Sequence, residues 1–331
     1  MKIMRIAAGL AAALLVAAVP SAWAADAAKP SLKVTIDNFA NFDSAGGIVS
    51  HHELDFLLKG NAGNWTISAE AFAGLSQDWK AGLTSEETPT LELVASSDKF
   101  GTISALDTDT ALDNVCITPT PGSTHFGTED LMGFSTCAGY GGQAVRYITP
   151  DFFDGFGLQV SAMRDLKGLT APGDVDSGLS AALTYKHADN GVTYSADLAV
   201  DAATSVNGGL PAGTALPVTV QGGGKAEWDG WTIATAAQYE FASLGGGNRW
   251  SAGAGVSRAV TETLTIGTEA AVDSYQSKGV KIQELSLGTT GEYKFASNAS
   301  VDAAFNVVRR MGDDGSDEMV EQVGTGLSVW F

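Results

Sequence analysis

Five acids fall within one long stretch of this sequence: Asp107, Asp109 and Asp113, followed by Glu129 and Asp130, with no Lys or Arg anywhere in 107–142. Carboxylates left without local cations attract positive ions and orient water, although a solvated surface loop has the same composition. Cys116 and Cys137, the only cysteines, lie in the same stretch. Neither belongs to a CxxC pair, so a zinc site is not expected. His51 and His52 are adjacent and would point to opposite faces of a strand, while His125 and His187 stand alone. No Ser-His-Asp order and no GxSxG motif accompanies them, so no enzyme is expected. The glycines at 222–224 and 245–247 precede no Lys-Ser/Thr, which a phosphate loop requires. The acidic segment 311–318 carries Asp313, Asp314, Asp317 and Glu318, groups that take Ca²⁺, but it lacks EF-hand spacing and reads first as a solvated loop. The chemistry on offer is electrostatic, and no catalytic cofactor is implied.

Composition narrows the classes further. The chain has 331 residues, of which 38 are acids and 19 are Lys or Arg, for a net charge of −19. That balance opposes a nucleic-acid binder, which needs a basic face. A hydrophobic fraction of 44% excludes a disordered chain, and two cysteines exclude a disulfide-stapled miniprotein. Lys2 and Arg5, an apolar core over 6–19, and Ala22-Trp23-Ala24 read as a signal peptide spanning 1–24 and cleaved after Ala24, with an uncleaved anchor as the competing reading. Residues 25–331 then form one domain. No later run approaches the ~20 consecutive apolar residues of a membrane helix. Export places Cys116 and Cys137 in an oxidising compartment, where a disulfide is expected over free thiols. Closing about 22 residues would contribute about 3 kcal/mol by chain entropy.

The elements that must carry these residues are strands. Val192, Tyr194, Ala196, Leu198 and Val200 alternate with Thr193, Ser195 and Asp197, and the run 231–241 repeats the pattern with Trp231, Ile233, Ala237, Tyr239 and Phe241. Similar runs continue to Val323, Thr325, Leu327, Val329 and Phe331, giving about sixteen segments. One face is apolar in every segment. The other is too polar and too small to form the core of a soluble sandwich. A closed bilayer-spanning barrel resolves both, with the apolar face to lipid and the polar face to a lumen. Connection lengths alternate as such a barrel demands: 60–64, 97–99, 149–155, 187–191, 229–230, 260–263 and 297–298 are short, whereas 77–89, 107–142, 166–177, 202–217 and 311–318 are longer, and two further odd-numbered connections, near Gly245 and near Ser274, are shorter than the rest.

Three stretches carry a family likeness: the terminal Leu327-Ser328-Val329-Trp330-Phe331, the segment 99–109 (KFGTISALDTD), and the hairpin 145–156 (VRYITPDFFDGF). In these the chain resembles the general diffusion porins of Gram-negative bacteria, particularly the alphaproteobacterial branch. The resemblance implies an antiparallel up-and-down barrel of sixteen strands in the outer membrane, a homotrimer, and a third external loop folded into the lumen. It also implies that Phe331 is the signal read by the outer-membrane assembly machinery, with membrane lipid and lipopolysaccharide as the surroundings.

On that reading 107–142 is the inward loop, and Asp107, Asp109, Asp113, Glu129 and Asp130 form the acidic side of a constriction. Arg146, Arg164, Arg249, Arg258, Arg309 and Arg310, together with Lys186 and Lys225, are the candidate basic wall. Arg146 leads, because the family-like hairpin places its segment. Of Arg309 and Arg310 at most one can point inward. Acid facing base would set a transverse field, and the acidic balance points to a preference for cations. The expected function is passive diffusion of small hydrophilic solutes and ions. Alternatives are a channel selective for anions or sugars, a non-conducting structural or adhesion barrel, and an exported carbohydrate-binding sandwich.

Overall fold

The computed structural model describes residues 31–43, 48–78, 83–86, 90–117, 143–153, 155–164, 175–207, 215–241, 247–277 and 279–331. The leader 1–24, Glu129, Asp130 and Cys137 lie outside them. The strands are β1 (Ser31–Asp43), β2 (Ile48–Ala62), β3 (Trp65–Asp78), β4 (Leu83–Glu86), β5 (Thr90–Ser97), β6 (Gly101–Leu106), β7 (Gln143–Ile148), β8 (Phe156–Arg164) and β9 (Val175–Asp189). They continue as β10 (Val192–Val206), β11 (Val218–Trp228), β12 (Trp231–Phe241), β13 (Arg249–Ala259), β14 (Leu264–Ser277), β15 (Val280–Ala296), β16 (Ala299–Gly312) and β17 (Asp317–Trp330). A five-residue helix, α1 (Ala111–Val115), follows β6.

Apart from β4, which pairs with β3 alone, each strand pairs antiparallel with its neighbours along the chain, and β1 pairs with both β2 and β17, so the sheet closes on itself. Both β4 and β5 pair with β3, at Leu75–Asp78 and Thr66–Phe72 respectively, and together make the fourth staves of a sixteen-stranded barrel. Closure satisfies every ladder without leaving an edge, the condition for a sheet in lipid. Among the described residues no helix is long and apolar enough to cross a membrane.

Burial is inverted relative to a soluble protein. Leu32, Leu179, Leu198 and Leu287 are exposed, whereas Asp201, Gln221, Asp273 and Asn306 are almost fully buried. The alternation explains this, because odd and even residues of each strand face opposite sides. In β10, Leu198 and Val200 face out while Asp197, Ala199 and Asp201 face in, and the register Leu198↔Leu183 and Asp201↔Ser180 carries those faces to β9.

At the end where β1 begins and β17 finishes, the tightest turns have the chemistry they need. Asn190-Gly191 and Asp229-Gly230 are two-residue hairpin loops with positive φ at both positions (49° and 80°, 42° and 74°), the torsions of a type I′ turn. This end also gathers aromatic pairs: Trp65 stacks on Phe100, and Phe156 lies 4.7 Å from Tyr185. Two connections at the opposite end are shorter than expected. Leu83–Glu86 still pairs with β3, which trims 77–89, and β16 and β17 extend to Gly312 and Asp317, which trims 311–318. The helix α1 is unexpected as well, since five residues are too few to register as a period in sequence.

Candidate pore constriction

The stem of the long connection turns into the barrel at Leu106, whose φ of 79° is unusual for a residue with a side chain. The turn is latched by Asp107. Its amide donates to the Leu91 carbonyl at 3.1 Å, and its carboxylate accepts from the Leu91 amide at 2.8 Å. Beyond it, Thr108 donates to the Glu92 carboxylate, and Thr110 donates to Asp201 at 3.2 Å.

The segment 107–117 then lies on the inner wall. The amides of Ala111 and Leu112 donate to Ser161 Oγ and Ser180 Oγ, each at 2.9 Å. These are the N-terminal amides of α1, which no intrahelical acceptor satisfies. Asn114 Nδ2 donates to Gln159 Oε1 at 2.6 Å, and the Ile117 amide donates to Asp197 Oδ1 at 3.3 Å. Ala111 and Leu112 are fully buried against Ala182 and Ala199, which are inward residues of β9 and β10. Small wall residues let the backbone come this close. At Gly223 an added Cβ would meet Asp197 Oδ1 at 2.7 Å and Ile117 Cβ at 2.9 Å.

Arg146 faces inward but is only 6% exposed. Nη1 donates to the Asp109 carbonyl at 2.9 Å, and Nη2 lies 3.5 Å from both Glu92 Oε1 and Ser104 Oγ. The guanidinium is therefore committed to the stem and to the wall behind it. It is a tie and not an open pore cation.

The remaining candidates divide by strand parity. Arg249 and Arg310 face inward, and each holds an acid: Arg249 Nη2 lies 2.6 Å from Asp273 Oδ2, and Arg310 Nε lies 2.5 Å from Glu284 Oε1, with Glu318 at 3.5 Å from Nη1. Lys225 is inward too and lies 3.2 Å from Glu227. Three candidates are corrected. Arg164 shares the outward alternation of Leu158 and Val160, so it stands on the outer face of the barrel rim. Arg258 shares that of Trp250 and Val256, and its guanidinium stacks 4.9 Å from the outward Trp231 ring. Arg309 shares that of Val301 and Phe305 and pairs with Asp317 at 2.7 Å. One residue of register separates each of these from a lumen position. Lys186 shares the inward alternation of Ser180 and Ala182 and is exposed near the β9–β10 turn. The six candidate arginines form no bare basic wall, three being outward and three tied to the stem or to acids.

Of the acids, Asp107 is spent on backbone, Asp109 is exposed, and Asp113 sits in α1, its side chain outside the described set. Sequence reasoning missed the wall acceptors Gln159, Ser161, Ser180 and Asp197 and the acids Glu92, Asp273 and Glu284. Their inward parity was visible in the alternation, but their partners were not. In the 313–316 turn, the hydroxyl and amide of Ser316 bond to Asp314 at 2.7 and 3.0 Å and hold its carboxyl below the ordinary range. Asp313 accepts from the Lys281 amide. No cluster of three or more metal-ligating groups forms among the described residues, so this turn presents no assembled Ca²⁺ site there.

At the C-terminus, the Phe331 amide donates to the Val34 carbonyl at 2.9 Å and the Val34 amide to the Phe331 carbonyl at 3.2 Å, closing the barrel seam. Cys116 lies partly buried just past α1.

No protein-family profile matches the chain, and no curated protein matches it in sequence. Solved structures do. The anion-selective porin from Comamonas acidovorans superposes with a TM-score of 0.59 at 14% identity, covering 92% of this chain and 100% of that one. A loop-L8 deletion form of OmpT, an outer membrane protein of Vibrio cholerae, gives 0.61 at 15%, covering 92% and 99%. A substituted Rh. blastica porin gives 0.55 at 14%, covering 92% and 100%. At these identities the likeness is one of fold: the chain is built as a porin-like antiparallel β-barrel.

Proposed function

We propose that this chain is a channel of the Gram-negative outer membrane that passes small hydrophilic solutes and ions by passive diffusion, without a chemical step. The observation that carries the reading is the inverted burial of a closed barrel, in which apolar residues face outward and polar ones line an interior entered by the stem 107–117. Solved barrels of the same fold include proteins described as porins. A signal peptide over 1–24 would deliver the chain, and Phe331, at the barrel seam, would be read during assembly. A homotrimer embedded in lipid and lipopolysaccharide follows from the family resemblance.

The preferred ion is a cation, supported by the net charge of −19 and by inward arginines that each hold a carboxylate. A Cys116–Cys137 disulfide would brace the inward loop. It is supported by Cys116 being bonded, not free. One observation favours a second reading, an anion-selective channel: Arg249 and Arg310 keep exposed guanidinium edges toward the interior. Purified protein in a planar bilayer tests both. Stepwise conductance is expected, with a reversal potential in a salt gradient of the sign set by cations. The opposite sign would establish the second reading, and no conductance would reject the channel.

A further inference from the structure

The inward residues at the ends of β12–β17 nearest the long connection form one charged row. Register sets Glu240 beside Arg249, Asp273 beside Glu284, Glu284 beside Arg310, and Arg310 beside Glu318. Arg249 bridges to Asp273 through Nε at 3.3 Å and Nη2 at 2.6 Å, and stacks 5.6 Å from the Tyr275 ring. Glu284 takes both Arg310 Nε at 2.5 Å and the Tyr275 hydroxyl at 2.7 Å. In both pairs the arginine is outermost and the acid lies behind it. Side-chain exposure is 28% for Arg249 against 1% for Asp273, and 42% for Arg310 against 4% for Glu284.

We propose that Asp273 and Glu284 are specificity-determining residues of this channel, because they mask the two arginines that the interior would otherwise present to anions. The proposal rests on the channel reading above and goes beyond it by moving selectivity from the loop acids to the wall. Arg249 is held by Asp273 in a bidentate guanidinium–carboxylate pair, and Arg310 is divided between Glu284 through Nε and Glu318 through Nη1, so each guanidinium is tied to carboxylates and not free to swing toward a passing anion. The row contains four carboxylates and two guanidinium groups, so it is acidic as a whole. Neutralising either masking acid shifts its charge by one unit and leaves an already exposed guanidinium uncompensated at the surface that solutes touch. A buried carboxylate left without its arginine would be costly, which ties the members of each pair to one another.

The test compares reversal potentials in a KCl gradient across planar bilayers for the parent protein, Asp273→Asn, Glu284→Gln, and the double variant Asp273→Asn with Arg249→Gln. Each single variant should lower the cation-to-anion permeability ratio about sixfold, because a unit charge acting through roughly 8 Å of water changes each ion's occupancy about 2.4-fold in opposite senses. The double variant removes both charges of a neutral pair and should return the ratio to that of the parent. Single variants that conduct with an unchanged reversal potential overturn the proposal and leave the channel reading standing. A parent protein that never conducts overturns both. Should Asp273→Asn fail to assemble, Glu284→Gln keeps the Tyr275 and Arg310 contacts through its amide and carries the same two outcomes.

Discussion

Arg146 Nη1 donates to the carbonyl of Asp109 at 2.9 Å, and this bond joins the wall of the barrel to the stem of its longest connection. The same guanidinium lies 3.5 Å from Glu92, so one side chain links β5, β7 and the stem. A side chain buried to this degree gives little to passing ions. In the proposed channel its effect on transport would run through where it holds 107–117.

Replacing Arg146 therefore should alter the channel mechanically. Arg146→Lys keeps the charge beside Glu92 but has no fork to span Glu92, Ser104 and the Asp109 carbonyl at once. Loss of one such bond costs about 1–3 kcal/mol. The expected variant assembles, unfolds at lower temperature in detergent, and conducts with more frequent current transitions, while its reversal potential stays at the parental value. A changed reversal potential with quiet traces would make Arg146 a pore cation after all.

Two neighbouring glycines give a contrast with an internal control. At Gly223 a methyl would press on Asp197 Oδ1 and Ile117 Cβ, whereas at Gly224, on the outward face, nothing lies within 4 Å of an added Cβ. Overfilling a tight contact costs about 1–3 kcal/mol. Gly223→Ala should displace the stem, lower the unfolding temperature and change single-channel conductance. Gly224→Ala should leave both unchanged. Equal behaviour of the two variants would remove 107–117 from its seat on β11.

The strand pattern was readable in sequence because a two-residue period survives wherever one face meets lipid and the other does not. The site was less readable. Arg309 and Arg310 are adjacent, and only the register with β15 and β17 decides that Arg310 faces in. Arg164 and Arg258 fell one position from lumen-facing neighbours, Met163 and Ser257, and the sequence pattern at strand ends does not mark that step. Pairing was hidden altogether. Arg249 and Asp273 are separated by 24 residues and Arg310 and Glu284 by 26, so each contact exists only once three-dimensional register is set. Similarly, Asp107 looked like an eyelet acid because nothing local reveals that the Leu91 backbone takes its carboxylate.

That difference predicts unequal effects for two acids of identical type. Asp109 is exposed, and its backbone carbonyl, not its carboxylate, meets Arg146. Asp109→Asn should thus shift the reversal potential toward anions without loss of stability. Asp107→Asn should leave selectivity near the parental value, because an amide oxygen still accepts from Leu91. Asp107→Ala should cost about 1 kcal/mol through the lost bond. Reversal potentials and detergent unfolding curves measured on the three variants separate these effects. A selectivity shift for Asp107→Asn as large as that for Asp109→Asn would return Asp107 to the pore surface.

The last prediction concerns Cys116, which follows α1 at the point where the stem leaves its hydrogen-bonded seat beside Asp197. Were it joined to Cys137, the bond would pin the far end of the inward segment while Arg146 and Asp107 pin the near end. A stem held at both ends cannot sample the pore freely, and a closed loop of about 22 residues contributes about 3 kcal/mol in the chain-entropy account. Intact mass measured with and without a reductant should differ by two hydrogens, and reductant should lower the unfolding temperature and broaden the distribution of conductance levels. Cys116→Ser should reproduce the reduced protein without added reductant. Thiol labelling of both cysteines in the unreduced, denatured protein would rule the bond out, and the rigidity of the stem would then rest on the wall contacts of 107–117 alone.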